Sequence, residues 1–152
     1  MKRLLIAIDG PSGAGKGTIA RTLAGTLNYR HIDTGAMYRA VGWKVLHDAV
    51  ALDDEMAVAT LAEQSEIIVE GGHVAIDGHD VTQAIRTPEI DKAASSVARM
   101  PRVREVLVAR QRRMGEQGGV VMEGRDIGTV VFPKADLKFI WMRQRKSERG
   151  GD

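Results

Sequence analysis

The chain alternates between short apolar runs and longer stretches in which apolar residues recur at helical spacing. Residues 4–8 form the first run, and Ile19, Ala20, Leu23 and Leu27 follow at the spacing of one helix face. The other short runs occupy residues 29–33, 120–123 and 137–142, and helices are predicted up to about residue 28 and over residues 34–49, 55–64, 87–99 and 101–117. This alternation predicts an α/β domain with about four strands in a mostly parallel central sheet.

The hydrophobic period changes to that of strands between about residues 64 and 86. Glu66–Glu70 and His73–Asp77 are interpreted as two strands, and Gly71-Gly72 between them supplies the positive φ of a two-residue turn. Residues 78–82 can add a third short strand. A small antiparallel sheet inside an alternating α/β chain predicts an insertion that covers an active site and lies outside the main sheet.

The most informative stretch lies between the first strand and the first helix. It reads Gly10, Pro11, Ser12, Gly13, Ala14, Gly15, Lys16, Gly17 and Thr18. Glycines let successive backbone N–H groups turn toward one point, and the following helix adds the unpaired donors of its first turn. Such a loop suits the phosphates of a nucleoside triphosphate, with Lys16 able to reach the β- and γ-oxygens.

This loop departs from the strict pattern G-x-x-x-x-G-K-[ST] at its last position, where Gly17 stands and the hydroxyl follows at Thr18. One interpretation is a glycine-rich turn that holds no ligand. The other is a triphosphate site of the kinase type. The second is favoured because the strand, the loop, the lysine and the helix all fall in register.

The amino-acid composition argues against several other classes of function. The 152 residues predict one domain, and 22 lysine and arginine residues against 20 acidic ones do not argue for nucleic-acid binding. Cysteine is absent, which excludes disulfides and thiolate metal sites, and the four histidines lack metal-ligand spacing.

The first apolar run is too short for a signal peptide, and no run has the length of a membrane span. We expect a cytoplasmic monomer that acts on small molecules, without membrane or nucleic-acid partners.

Four further motifs accompany the loop and carry a family resemblance. Residues 33–39, 85–87, 101–105 and 123–133 read D-T-G-A-M-Y-R, I-R-T, P-R-V-R-E and E-G-R-D-I-G-T-V-V-F-P. In this order they resemble the cytidylate kinase family, from about residue 3 to residue 140. The resemblance implies a single P-loop domain over residues 1–152, a three-layer sandwich, which transfers the γ-phosphoryl group of ATP to CMP or dCMP with Mg²⁺.

The cations of the chain fit this chemistry. The attacking oxygen belongs to an already anionic phosphate, so catalysis reduces to aligning two phosphate groups and spreading positive charge over their oxygens. The candidates are Lys16, Arg39, Arg86 and Arg125, and the planar arginine fork binds phosphate through paired hydrogen bonds. Arg125 follows an apolar strand, where ligands of open α/β sheets bind. Arg39 lies on the polar side of an amphipathic helix and is equally consistent with a solvated residue.

A second set of residues is assigned through the resemblance. It implies that Asp126, Arg104 and Ser95 read the cytosine ring, that Thr34 lies near the ribose or base, and that Thr18 meets Mg²⁺. A carboxylate suits the exocyclic amine of cytosine, and uracil presents a carbonyl there instead. The alternatives are that Asp126 pairs with Arg125 or caps a turn, and that Arg104 is an exposed charge on a basic helix.

The resemblance fades after Ile140, and residues 141–152 do not match the lid, the fifth strand and the closing helix of the family. From this we expect weak triphosphate binding, poor turnover and an apolar sheet edge that is prone to aggregation. Two other functions stay open. One is another small P-loop kinase, and the other is an inactive nucleotide-binding or nucleic-acid-binding fragment with Arg143–Arg149 as a basic arm.

Overall fold

A computed structural model of the chain describes residues 3–11 and 15–142. The predicted basic arm therefore lies outside the described residues. The strands are β1 (Leu5–Asp9), β2 (Arg30–Asp33), β3 (Ile67–Glu70), β4 (His73–Ile76), β5 (His79–Asp80), β6 (Val120–Gly124) and β7 (Leu137–Ile140). The helices are α1 (Lys16–Leu27), α2 (Thr34–His47), α3 (Glu55–Gln64), α4 (Pro88–Ala98) and α5 (Pro101–Gly115). None of the helices in these ranges has the length and apolarity to cross a membrane.

Four strands form the central sheet in the order β2-β6-β1-β7, and every neighbouring pair is parallel. The predicted α/β class and parallel sheet are thus confirmed. β6 is buried along its whole length. In the β1–β6 register Asp9 lies opposite Gly124, so the turns after these two strands leave the sheet side by side.

Helices cover both faces of this sheet, because successive strand side chains point to opposite sides. Ile6 and Ile8 of β1 pack with Ala20 and Ala24 of α1 on one face. Ala7 faces the other way and belongs to a larger core. That core includes residues of α2, α3, α4 and α5 together with the sheet residues Ile32, Val120 and Met122. The resulting architecture has three layers.

The insertion is a separate antiparallel sheet in the order β3-β4-β5. Gly71 and Gly72 turn between β3 and β4 with φ of 61° and 87°, as the predicted two-residue turn requires. The hairpin is anchored to the main sheet, since the Gly71 N–H donates to the His31 carbonyl at 3.2 Å. It therefore borders the carboxyl end of β2.

Two short elements were not predicted from the sequence. A 3₁₀ turn spans Ala84–Arg86, and a π-helical turn spans Ile127–Val131 just after β6. The 3₁₀ turn is closed locally, by the Arg86 N–H to the Gln83 carbonyl at 3.1 Å, whereas the start of the π-helical turn is held by the distant Asp9 carboxylate. Three predicted ends also move inward by about two residues: α2 ends at His47, α5 at Gly115 and β7 at Ile140.

Candidate phosphate-binding and nucleotide-binding site

The turn after β1 leads directly into α1. Gly10 donates its N–H to the Gly124 carbonyl at 3.0 Å, and Gly15 caps α1 in the left-handed region with φ of 86°. A Cβ on Gly10 would lie 2.1 Å from the Trp141 carbonyl oxygen, so only glycine fits. Ser12, Gly13 and Ala14 of the predicted loop lie outside the described residues. The described part has the strand-to-helix geometry that the phosphate-loop motif requires.

Lys16 is a buried cation at the start of α1. Its Nζ donates to the carbonyl oxygens of Gly10 and Gly124, both at 2.9 Å. Burial lowers the pKa of the Lys16 ammonium, while the nearby carboxylates of Glu123 and Asp33 oppose that shift. The amine thus lies between the two turns that leave the sheet side by side. A phosphate oxygen in place of these carbonyls would bring a negative charge next to the Lys16 ammonium and offset the cost of burying it.

The next residues of α1 face acidic and polar groups. Gly17 stands where the strict motif has a serine or threonine. A Cβ on Gly17 would lie 3.6 Å from both carboxylate oxygens of Glu123, so a side chain here would contact that carboxylate. Thr18 is exposed in the first turn of α1. In the part of the chain that the structure describes, no group of three or more His, Asp or Glu residues could hold a metal ion. The Thr18 hydroxyl and the Glu123 carboxylate are oxygen donors, the ligand type that Mg²⁺ takes.

Glu123 forms a buried pair that sequence reasoning missed. Its Oε2 lies 2.5 Å from His31 Nε2, and the His31 Nδ1 is buried without a hydrogen-bond partner among the described residues. The two residues are far apart in sequence and meet only because β2 and β6 are neighbours. Since no local pattern carries that pairing, the sequence held no signal for it.

Asp33 ends β2 and begins α2. Its Oδ1 accepts from the Ala36 N–H at 3.2 Å, so Asp33 is the N-cap of α2. Burial raises the pKa of the Asp33 carboxyl, and the charge of Glu123 raises it further, while Arg39 opposes the shift. Two carboxylates therefore face the space in front of Lys16.

Arg39 and Arg86 line a cavity of about 420 Å³ between the start of α1 and the insertion. Arg39 Nε lies 3.5 Å from Asp91 Oδ1, and Arg86 Nε donates to the Thr82 carbonyl at 3.3 Å. Gly17, Asp33 and Glu123 line the same cavity. Two of the predicted phosphate-binding arginines are thus brought to one space beside the phosphate loop.

The third group of predicted residues meets at the turn after β6. Arg104 of α5 donates to and pairs with Asp126, and Arg125 is exposed between Asp126 and the end of β6. Asp126 also begins the π-helical turn, where its carbonyl accepts from the Val130 N–H at 2.9 Å. The Asp126 side chain caps no N–H of this turn, and its ion pair is with Arg104, the other residue assigned to the cytosine ring.

Tyr38 lies behind this pair and was not singled out as a site residue. Burial raises the pKa of its hydroxyl, the Arg104 charge opposes that shift, and the Asp126 charge adds to it. The Tyr38 hydroxyl therefore lies within reach of the charges of the Arg104–Asp126 pair.

The last two predicted residues differ in their surroundings. Thr34 is buried, and its Oγ1 donates to the Glu123 carbonyl at 2.8 Å, so it joins the carboxyl ends of β2 and β6. Ser95 is exposed on α4, the helix that also carries Asp91, the partner of Arg39. Their predicted contacts with the nucleotide remain predictions.

Asp9 is a second residue that sequence reasoning missed. Its carboxylate accepts from the N–H groups of Ile127 and Gly128, both at 2.7 Å. The only hint in the sequence is a carboxylate that interrupts an apolar strand just before a glycine-rich loop. The hydrogen-bond partners of Asp9 lie more than a hundred residues away, so its sequence neighbours do not predict them.

Comparison with known proteins gives a consistent result. The family described as cytidylate kinase matches residues 6–150. A cytidylate kinase of Solibacter usitatus is 51% identical over 148 residues, which cover 97% of this chain and 63% of that relative. One of Desulforamulus reducens is 56% identical over 137 residues, or 88% of this chain and 62% of the relative. A bifunctional pantoate ligase/cytidylate kinase of Synechococcus is 49% identical over 90% of this chain and 27% of its own length.

The chain spans about three fifths of the length of the single-function relatives in this comparison. The family match nevertheless covers nearly the whole chain, including both turns at the carboxyl ends of β1 and β6. The phosphate loop, the arginine-lined cavity and the Arg104–Asp126 pair all lie inside the matched range. This chain belongs to the cytidylate kinase family.

Proposed function

We propose that the chain binds ATP and a cytidine monophosphate, CMP or dCMP, and supports transfer of the γ-phosphoryl group between them. One observation carries the proposal. The adjacent strands β1 and β6 bring the Lys16 amine and the Arg104–Asp126 pair to the same edge of the sheet. Ligands of open α/β sheets bind at that edge.

The donor nucleotide would bind at the turn after β1. Gly10, Gly15 and the first N–H groups of α1 surround the phosphates, and Lys16 exchanges its two carbonyl partners for phosphate oxygens. Mg²⁺, when bound, would neutralise charge on the β- and γ-phosphates. Thr18, exposed in the first turn of α1, is the residue that we assign to that ion.

The acceptor would bind between the insertion and the turn after β6. Arg39 and Arg86 line the cavity that suits its phosphate, and Arg125 directly precedes Asp126 of the base-reading pair. Asp126 would accept from the exocyclic amine of cytosine, while Arg104 donates to the ring acceptors. Ser95 and Thr34 complete the predicted contacts.

The transfer itself needs no general base. A phosphate oxygen of the acceptor forms the new bond to the γ-phosphorus as the bond from that phosphorus to the β,γ-bridging oxygen breaks. ADP leaves, and the acceptor becomes a diphosphate. The role of Lys16, Arg39 and Arg125 is to keep the two nucleotides in line and to balance the charge on the transferred group. We expect this chemistry in a cytoplasmic monomer.

Nucleotide selectivity tests the proposal. We expect the affinity order CMP and dCMP above UMP and AMP, and Asp126→Asn should weaken CMP binding by about ten-fold or more, because a charge-assisted hydrogen bond is lost. Isothermal titration of the 152-residue chain measures this directly. Asp53→Asn makes the same chemical change at an exposed position and should leave the affinities unchanged.

The outcomes separate the candidate functions. A preference for AMP or UMP in the unsubstituted chain would contradict the cytidine assignment and support another small P-loop kinase. Absence of any nucleotide binding at millimolar concentration would contradict the proposal as a whole.

A further inference from the structure

Asp9 makes a contact that the phosphate chemistry alone does not require. It ends β1 immediately before the phosphate loop, and its two carboxylate oxygens accept from the consecutive N–H groups of Ile127 and Gly128. Both distances are 2.7 Å, in the range of charge-assisted hydrogen bonds, which are about twice as strong as neutral ones. Two bonds from one side chain fix both the position and the orientation of the backbone that they hold.

The backbone that Asp9 holds carries the residues assigned to the acceptor nucleotide. Ile127 and Gly128 are buried and directly follow Arg125 and Asp126. Asp126 is also held from the other side by Arg104. The carboxylate of Asp9 is therefore a bridge between the start of the donor loop and the base-reading pair.

Lys16 forms a second bridge between the same two turns, but its bonds compete with ligand. Its Nζ joins the Gly10 and Gly124 carbonyls, and a bound triphosphate would draw this amine away. The Asp9 contacts involve neither that amine nor those carbonyls. They can persist when the donor site is filled, which is when the acceptor must be held in line.

We infer that Asp9 is a positioning residue, which keeps Arg125 and Asp126 in the geometry that binds the cytidine monophosphate while the phosphate loop is occupied. This inference rests on the proposed function. It assigns Asp9 an effect on acceptor affinity and base selectivity, with little effect on the affinity for ATP.

The chain offers a matched pair of substitutions to test it. Asp9→Asn keeps the size of the side chain but turns an amide N–H₂ toward one of the two backbone donors, so one bond is lost and two donors face each other. Asp136→Asn is the control, because Asp136 Oδ2 accepts from the Leu5 N–H at 2.7 Å at the opposite end of the same strand. The chemical change is identical, but Asp136 is exposed, accepts from one backbone N–H of β1 where Asp9 accepts from two of the turn after β6, and lies away from the site.

Gly128→Ala disturbs the same bridge without changing a charge. A Cβ at this position would lie 3.3 Å from Asp9 Oδ2 and 3.2 Å from a Lys138 side-chain carbon, so the carboxylate must shift by a few tenths of an ångström. This variant keeps the inference testable if Asp9→Asn fails to fold. It should change the same quantities as Asp9→Asn in the same direction and by less.

The readouts are the affinities for CMP, UMP and ATP by titration calorimetry, the melting temperature and the exchange rates of the Ile127 and Gly128 amides. For Asp9→Asn we expect CMP affinity to fall by about 10- to 100-fold, the range for loss of a hydrogen bond to a charged group. The ratio of CMP to UMP affinity should shrink, both amides should exchange faster, and ATP affinity should stay near that of the unsubstituted chain. Asp136→Asn should leave all three affinities unchanged.

Other results would overturn the inference. Unchanged CMP affinity and selectivity in a folded Asp9→Asn variant would do so, while the proposed function would survive. An equal loss of ATP and CMP affinity together with a lower melting temperature would make Asp9 merely structural. If the unsubstituted chain binds neither nucleotide, the proposed function fails first, and the inference falls with it.

Discussion

Individual charged residues near the phosphate loop each hold two parts of the chain together before any ligand is considered. Lys16 joins the turns after β1 and β6, Asp9 joins the same turns through its carboxylate, and Glu123 pairs with His31 across β2 and β6. These are buried or half-buried groups, for which loss of one partner is costly. The residues of the candidate site are thus also part of what fixes its shape.

Asp33 gives this arrangement a measurable pH dependence. Burial raises the pKa of its carboxyl in the folded chain, so the folded state binds a proton more tightly than the unfolded state does. The stabilising effect of that proton is fully present below the unfolded pKa and is lost as the pH rises through the folded pKa. Asp33→Asn keeps the oxygen that caps α2 and has no carboxyl to titrate.

We therefore expect the free energy of unfolding of the unsubstituted chain to fall relative to Asp33→Asn as the pH rises from about 4 toward neutrality. Urea unfolding at a series of pH values measures the difference. Asp53→Asn, at an exposed position, should run parallel to the unsubstituted chain. An unfolding free energy of the unsubstituted chain that rises relative to that of Asp33→Asn with increasing pH would contradict this expectation.

At the scale of elements, the end of β6 is packed far more tightly than the end of α1. A Cβ on Gly124, the last residue of β6, would lie 2.4 Å from Thr34 Oγ1 and 2.9 Å from Ile127 Cδ1. A Cβ on Gly25, exposed in the last turn of α1, would have no heavy atom within 4 Å. The same substitution should therefore have opposite effects at the two positions.

Gly124→Ala should destabilise the chain by about 1–3 kcal/mol through overpacking. Gly25→Ala should stabilise it by about 0.5–1 kcal/mol, because alanine loses less conformational freedom in a helix. Chemical denaturation of both variants measures these changes. Equal effects, or a stable Gly124→Ala variant with intact Thr34 contacts, would show that the packing at this edge is looser than the structure indicates.

Most elements could be predicted from the sequence because their signals are local. α4 begins within one residue of its predicted start, and the Gly71-Gly72 turn formed as predicted, since capping and positive φ depend on the residue itself. The strand order and the π-helical turn over Ile127–Val131 could not be derived. They depend on pairing between β1 and β6 and on the Asp9 carboxylate, which join segments more than a hundred residues apart.

The same division holds for the candidate site. The loop around Lys16 was recognisable from its glycine spacing, and Arg104 and Asp126 were assigned together through the family resemblance before the structure paired them. His31 and Asp9 had no such signal, because neither belongs to a pattern of fixed spacing. Sequence reasoning thus identified groups that we propose to contact ligand and missed buried or half-buried groups that hold the backbone around them.

At the scale of the whole molecule, one sheet edge joins the proposed donor loop to the proposed acceptor site, which the insertion borders. β1 and β6 fix the distance between the two turns, and the cavity of about 420 Å³ lies between α1 and the β3–β4 hairpin. The opposite side of β1 is covered by β7, whose four residues are exposed. We propose that one nucleotide binds at the turn after β1 and the other at the turn after β6.

An amide chemical-shift titration of the ¹⁵N-labelled chain with ATP and then with CMP tests this claim most directly. The account predicts that ATP shifts the amides of Gly15, Lys16 and Thr18, and that CMP shifts those of Arg125 and Asp126. Lys16→Met should abolish the first set of shifts while the chain stays folded. Shifts at neither turn at millimolar nucleotide, or CMP shifts confined to surfaces away from Arg125 and Asp126, would contradict it.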